Sequence, residues 1–209
     1  MARLEDVRWE AFPCTFATQR LNTLQPKKEI LPVIEKDIEK SKETNPNWRC
    51  NVYTDFHKQK SCLDKFKKSY TPGVKRALAQ INIGDVPYSF NIEKIWYNVY
   101  ENECFQESHI HYPDHFSFIH YLEYDPEEHS PTVFENPNLY AQLFNEEQFK
   151  DRMFQDVISF PTYEGTLMCF PSNVRHFVPK NKSNKRRVTV SFNVKLDFSK
   201  SIVNVIQHK

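Results

Sequence analysis

Three of the chain's eight histidines fall within seven residues, in Glu107-Ser-His-Ile-His-Tyr-Pro-Asp-His115. In an extended segment, residues two apart leave the same face, so His109 and His111 would stand a few ångströms from one another. Two imidazoles placed that way can share one metal ion at about 2.0–2.2 Å each. A third ligand has to come from elsewhere, and His176 is the best candidate because it follows the run Thr166–Phe170 and the Pro171-Ser172 turn and begins another strand-like stretch. Imidazole suits zinc, iron, copper and nickel alike, so ligand type does not name the metal, but three ligands leave open positions and point to a catalytic ion. The competing reading, common for an isolated pair of this kind, is that these are polar residues of an ordinary loop.

A second constellation lies in Arg187-Val-Thr-Val-Ser-Phe-Asn193, which alternates strictly. Arg187, Thr189, Ser191 and Asn193 share one face and Val188, Val190, Phe192 and Val194 the other. Such a polar row is often a solvent face. An arginine followed two residues later by a hydroxyl is also a good carboxylate clamp, because the guanidinium pairs bidentately and the hydroxyl adds a donor. In Trp96-Tyr-Asn-Val-Tyr100, Asn98 and Tyr100 likewise share a face and can both donate to a carboxylate, or equally be satisfied polar residues of a core. Trp96, Phe118, His115 and His120 lie close by in sequence, and residues of these types are more often core.

The elements that must hold these side chains change character along the chain. In Lys28–Ile38, Ile30, Ile34 and Ile38 recur at helical spacing, and Pro32 suits a first turn, so the regular helix is expected to begin there. Leu63 with Phe66, and Val74 with Leu78 and Ile81, predict two more helices, the latter opening at Thr71-Pro72. From Tyr88 the period shifts to two, with strands expected at Tyr88–Tyr100, Phe116–Tyr124, Thr132–Phe134, Val157–Phe160, Thr166–Phe170, His176–Val178 and Arg187–Leu196. A short helix is expected at Asn145–Phe154. Phe116–Leu122 is apolar on both faces, as in a strand covered on both sides. The resulting expectation is one mainly β, α+β domain: a helical support region over residues 1–87, a β-sandwich or jelly roll over 88–198 with the helices packed on one sheet, and a tail over 199–209.

Composition narrows the partners. The 209 residues carry a net charge of +1, which gives no field to draw in nucleic acid or an anionic membrane. No apolar run reaches the roughly 18 residues that a membrane span needs. Five cysteines, at positions 14, 50, 62, 104 and 169, are odd in number and without CxxC pairs, and the N-terminus lacks a signal pattern, so a reducing, cytoplasmic setting is expected. The aromatic share of 14% with only three glycines describes a densely packed globule.

Taken in order, Trp96-Tyr-Asn98, His109-Ile-His111-Tyr-Pro113, Phe134-Glu-Asn-Pro137, Phe170-Pro-Ser172, His176 and Arg187-Val-Thr-Val-Ser-Phe-Asn193 resemble the 2OG-Fe(II) oxygenase family of marine bacteria and their phages. The resemblance covers about residues 88 to 196. It implies a double-stranded β-helix, a distorted cupin-like jelly roll, with iron(II) at its open end held by His109, His111 and His176. It further implies 2-oxoglutarate chelating that iron while its far carboxylate meets Arg187, with Asn98, Tyr100 and Thr189 helping to grip it. The implied activity is that of an iron- and 2-oxoglutarate-dependent dioxygenase that consumes O₂, forms succinate and CO₂, and hydroxylates a C–H bond of a small molecule or peptide. If the gene is phage-borne, the cytoplasm is the host's.

One departure from the wider superfamily stands out. Most members place a carboxylate two residues after the first histidine, where this chain has His111. A neutral third ligand would leave the ion more positive and tighten its hold on a dianionic co-substrate. Asp114 is the nearby carboxylate that could substitute, but it lies beyond Pro113 and would need a turn to reach the ion, so His111 is preferred. Two other readings make different predictions. A three-histidine cupin-type dioxygenase would consume O₂ without producing succinate, and a non-catalytic metal-binding jelly roll would bind metal without turnover.

Overall fold

A computed structural model of the protein describes residues 7–11, 14–22, 24–83, 87–137 and 155–199. Its elements in order are β1 (Val7–Ala11), β2 (Cys14–Arg20), α1 (Leu24–Lys40), β3 (Tyr53–Thr54), a 3₁₀ helix at Asp64–Tyr70, α2 (Thr71–Ile81), β4 (Ser89–Tyr100), β5 (Gln106–His109), β6 (Phe116–Glu123), β7 (Val133–Glu135), β8 (Val157–Ile158), β9 (Thr166–Pro171), β10 (His176–Val178) and β11 (Arg187–Asp197). They form two antiparallel sheets, one in the order β1-β2-β9-β6-β11-β4-β3 and a smaller one in the order β5-β10-β7-β8. The expected α+β, mainly β architecture with helices against one sheet is what the chain adopts.

The strict alternation of β11 decides the layering. Val188, Val190, Phe192 and Val194 turn outward from the large sheet into a core shared with Ile30 and Ile34 of α1 and with Val74, Ala77 and Leu78 of α2. The opposite face of the same sheet meets the small sheet. There Phe16, Ile119, Tyr121, Met168 and Phe170 pack with Phe134 and Ile158, leaving the polar row of β11 inside the sandwich. Phe116–Glu123 is apolar on both faces because both faces are covered.

The helical reading of the first half needs three corrections. Strands β1 and β2 occupy that region and extend the large sheet, β2 pairing with β9 from Ala17↔Cys169 to Arg20↔Thr166. Tertiary pairing overrides a local pattern that carries no clear period. Second, α1 begins at Leu24 and holds Pro32 inside it. An interior proline costs about 3 kcal/mol, and the burial of Ile30 and Ile34 on either side offsets this. Third, Leu63 and Phe66 belong to the 3₁₀ helix and its approach. The helix opening at Thr71-Pro72 lies where expected, with Pro72 in its first turn. The helix expected at Asn145–Phe154 and most of the expected tail lie outside the described residues.

Candidate metal centre

The ladder between β5 and β10 sets His176 directly opposite His109. His111 lies two residues past the end of β5, in a loop whose backbone is fixed by the His111 N–H donating to the Ser172 carbonyl at 2.8 Å. The three rings converge, with centroids 4.2 Å apart for His109 and His176, 4.9 Å for His109 and His111, and 5.1 Å for His111 and His176. One nitrogen from each lies within 4.8 Å of the others, close to the span across an ion that each would hold at about 2.0–2.2 Å.

The protonation pattern suits a metal. His109 Nδ1 donates to the Glu107 carbonyl at 2.7 Å and His176 Nδ1 to the Val174 carbonyl at 3.0 Å, so both Nε2 atoms keep a free lone pair. Burial pushes all three imidazoles towards their neutral form. His109 is lowered, His111 is lowered to about 3 by burial and by its neighbour His109, and His176 is lowered well below its ordinary value for the same reasons. Three neutral donors at one point fit an imidazole-binding transition metal.

Asp114 is not part of this cluster. Its Oδ2 accepts from Asn193 Nδ2 at 2.8 Å, and no carboxylate joins the three histidines among the described residues.

A second feature lies along β11, whose inward row faces residues of both neighbouring strands. Arg187 stands opposite Tyr100, Thr189 between Asn98 and Tyr121, and Ser191 between Trp96 and Ile119. Arg187 is only 2% exposed. Its Nη2 donates to Thr132 Oγ1 at 3.1 Å, and its guanidinium lies over the rings of Tyr100 at 4.6 Å and Tyr121 at 5.1 Å. Its Nε and Nη1 are buried without a hydrogen bond, although the Tyr100 phenol interacts electrostatically with the guanidinium. The adjacent, half-exposed Arg186 shows the contrast, since it is paired with Glu123 and Glu35. A buried guanidinium with two unsatisfied nitrogens is costly unless an anion completes it, so the donor set here fits a carboxylate.

A narrow, tightly packed pocket joins the two features, lined by the three histidines and Arg187 and also by Asn98, Tyr100, Thr189, Gln106 and Thr132. Tyr100 OH donates to Gln106 Oε1 at 2.6 Å, and burial holds the phenol well above its ordinary range. The Asn98 amide satisfies its surroundings best with Oδ1 accepting from Trp96 Nε1 at 3.2 Å and Nδ2 donating to Thr54 Oγ1 at 3.0 Å. That orientation engages it locally, tying β4 to β3.

Sequence reasoning missed Gln106, Tyr121 and Thr132 at the arginine end, and Trp48 and Phe56, which stack at 5.2 Å and reach the imidazoles, Trp48 against His109 and Phe56 against His111. Tyr121 was legible as an inward residue of its strand, whereas the others sit on loops or short edges with no period to read. Of the neighbouring aromatics and histidines, Trp96 packs 5.2 Å from His111. Phe118 and His120 turn into the helix-side core, and His115 Nδ1 accepts from the Leu196 N–H on the exposed side.

A family model described as "Putative 2OG-Fe(II) oxygenase" matches residues 94–193, which contain every residue of the two features except the loop aromatics. No curated protein matches the sequence. Among solved structures, the chain is similar to the non-heme α-ketoglutarate-dependent carbocyclase SnoK from nogalamycin biosynthesis, at 12% identity over 86% of this chain and 79% of that one, with a TM-score of 0.59. It is also similar to a Pseudomonas putida prolyl-4-hydroxylase, at 11% identity over 86% and 92% with a TM-score of 0.54. A Trichoplax adhaerens prolyl hydroxylase matches at 14% identity over 90% and 86%, also with a TM-score of 0.54. At these identities the structural likeness establishes the fold, a double-stranded β-helix.

Proposed function

Since the chain belongs to the 2OG-Fe(II) oxygenases, we propose that His109, His111 and His176 hold its iron and that Arg187 and Thr189 receive the far carboxylate of 2-oxoglutarate, with Tyr100 and Asn98 shaping the same pocket. The protein is an iron(II)- and 2-oxoglutarate-dependent dioxygenase, and O₂ is its oxidant. When bound, the iron supplies the oxidative chemistry that couples decarboxylation of 2-oxoglutarate to oxygenation of a substrate.

The chain's own residues supply placement. The Glu107 and Val174 carbonyls fix the tautomer and direction of two imidazoles. Tyr100 and Tyr121 cover the guanidinium and keep water from it. Thr132 takes one hydrogen of Nη2, which leaves the other, together with Nε or with Nη1, to take the two oxygens of a carboxylate in a fork. The unpartnered face of Arg187 is the observation that carries this reading. A three-histidine dioxygenase that used no 2-oxoglutarate would have no reason to bury that cation unpaired.

The reaction we propose is hydroxylation of a C–H bond in a small molecule or peptide, within one domain in which residues 1–87 support a catalytic core spanning 88–198. No helix among the described residues is long and apolar enough to cross a membrane. The five cysteines are all free thiols, which supports a cytoplasmic setting.

The test is anaerobic reconstitution with iron(II), then measurement of succinate formed from 2-oxoglutarate on admitting O₂, with and without a substrate library. Succinate in stoichiometry with O₂ consumed is expected. Oxygen uptake without succinate, or metal binding without either, would overturn the reading.

A further inference from the structure

We infer that Asp114, the carboxylate three residues beyond His111, anchors a buried hydrogen-bond chain that positions His111, and is itself a positioning residue and not a ligand. The inference rests on the ligand set proposed above. Four polar side chains from four parts of the fold meet in one line. Ser172 Oγ lies 2.8 Å from Ser117 Oγ, Ser117 Oγ donates to Asn193 Oδ1 at 3.0 Å, and Asn193 Nδ2 donates to Asp114 Oδ2 at 2.8 Å. Ser172 and Ser117 are 0% and 1% exposed and Asn193 is 5% exposed, so water does not substitute for the bonds among these three, while Asp114 closes the chain from a partly buried position.

The chain has a single direction. A serine hydroxyl has one proton, and that of Ser117 is committed to Asn193, so Ser172 must donate to Ser117. The donors then run from Ser172 through Ser117 and Asn193 and end on Asp114, whose Oδ2 accepts from the Asn193 amide. This fixes the orientation of the Asn193 amide.

What the chain holds together is the loop that carries His111. Backbone bonds clasp the same two segments: the His111 N–H donates to the Ser172 carbonyl at 2.8 Å, the Ser172 N–H to the His115 carbonyl at 3.0 Å, and the Asp114 N–H to the His111 carbonyl at 3.2 Å. His111 lies outside any strand, so unlike His109 and His176 it has no ladder to fix its ring. Nor, among the described residues, does its Nδ1 have a backbone carbonyl partner like those that orient the other two. The Ser172 turn also leads into β10, where the Val174 N–H donates to the Pro171 carbonyl at 3.0 Å just before His176. One end of the chain thus steadies the approach to His176 and the other the loop of His111. Asp114 is thus engaged with a neighbouring amide and not with the three imidazoles.

The experiment titrates the metal-free protein with cobalt(II), read by the visible absorption of the bound ion, for wild type and the variants His111→Ala, Asp114→Ala, Asp114→Asn, Asn193→Ala and Ser117→Ala. Loss of the Asp114 acceptor or of Asn193 is expected to weaken binding about 10–100-fold, the size of an outer hydrogen-bond partner's effect, and to shift the absorption band. Asp114→Asn should bind as wild type, because its amide oxygen still accepts from Asn193. A merely structural role would not separate the two Asp114 variants. If Asp114→Ala does not fold, Asn193→Ala and Ser117→Ala break the same chain at other links. Equal loss in Asp114→Asn and Asp114→Ala, or wild-type binding in both Asp114→Ala and Asn193→Ala, would overturn the inference. Wild-type cobalt binding by His111→Ala would instead remove the ligand set on which it rests.

Discussion

His109 and His176 face one another across an antiparallel ladder, with ring centroids 4.2 Å apart and each Nδ1 tied to a backbone carbonyl two residues earlier in the chain. Sheet geometry therefore holds two donors in place before any metal arrives. Alanine at either position should abolish iron(II) or cobalt(II) uptake, by more than the roughly 10–100-fold that loss of an outer partner costs, while circular dichroism stays that of the wild type. Retention of the ion at wild-type affinity by either variant would show that the pair is not a ligand pair.

Arg187 separates binding from stability. Its Nε and Nη1 are buried and unpaired, so the protein free of co-substrate carries the cost of an unsatisfied cation. Arg187→Met should leave the thermal midpoint of the co-substrate-free protein unchanged or raise it. The same change should weaken 2-oxoglutarate binding by roughly 2–5 kcal/mol, on the order of 30-fold or more. Anaerobic titration and thermal unfolding measure the two effects, and lower stability with unaltered 2-oxoglutarate affinity would count against the pocket.

These side chains were unevenly legible. The alternation of Arg187 to Asn193 gave the inward face of β11 directly, because a central strand with two covered faces leaves no freedom of register. The meeting of His109 with His111 followed from period two, although by a different route: the strand ends at His109 and His111 is carried by the loop beyond it. The bond from Asn193 to Asp114 spans 79 positions, and no local pattern encodes a partner that far away. The same holds for β2 against β9, and for Trp48, which is placed by the turn in which its N–H donates to the Asn45 carbonyl at 3.1 Å. Periodicity reports which way a residue faces within its element, while loops and edge strands take their positions from the elements they close upon.

Acid should weaken the metal-free protein through its buried neutral histidines. His120 is fully buried beside Tyr70, 2.9 Å from its hydroxyl, and burial lowers its pKa to about 4. In the unfolded chain it titrates near 6.5. Between these values the unfolded chain takes up a proton that the folded one refuses, so this group's contribution is intact above about pH 6.5 and is lost as pH falls to about 4. The size is about 3 kcal/mol. Urea midpoints for wild type and His120→Asn, compared from pH 7 to 4 so that the other histidines cancel, should show a shallower decline in the variant. Parallel declines would mean that His120 is already protonated in the folded state.

The outward face of β11 should be separable from its inward face. Phe192 stacks on Phe118 with centroids 4.8 Å apart and planes 8° from parallel, and Tyr70 lies 4.8 Å away on the helix side. Phe192→Ala empties the centre of that core and should cost about 3–5 kcal/mol of stability. Its neighbours Ser191 and Asn193 point the other way, into the sandwich, so the void opens away from the imidazoles. At a temperature where the variant remains folded, its cobalt(II) affinity should stay near that of wild type, the reverse of what Asn193→Ala should do one residue along. Separate sites without shared partners behave additively to within a few tenths of a kcal/mol, and the sheet is the wall between them. Comparable loss of metal affinity in both variants would mean that the strand moves as a unit and that packing on its helix side reaches the metal centre.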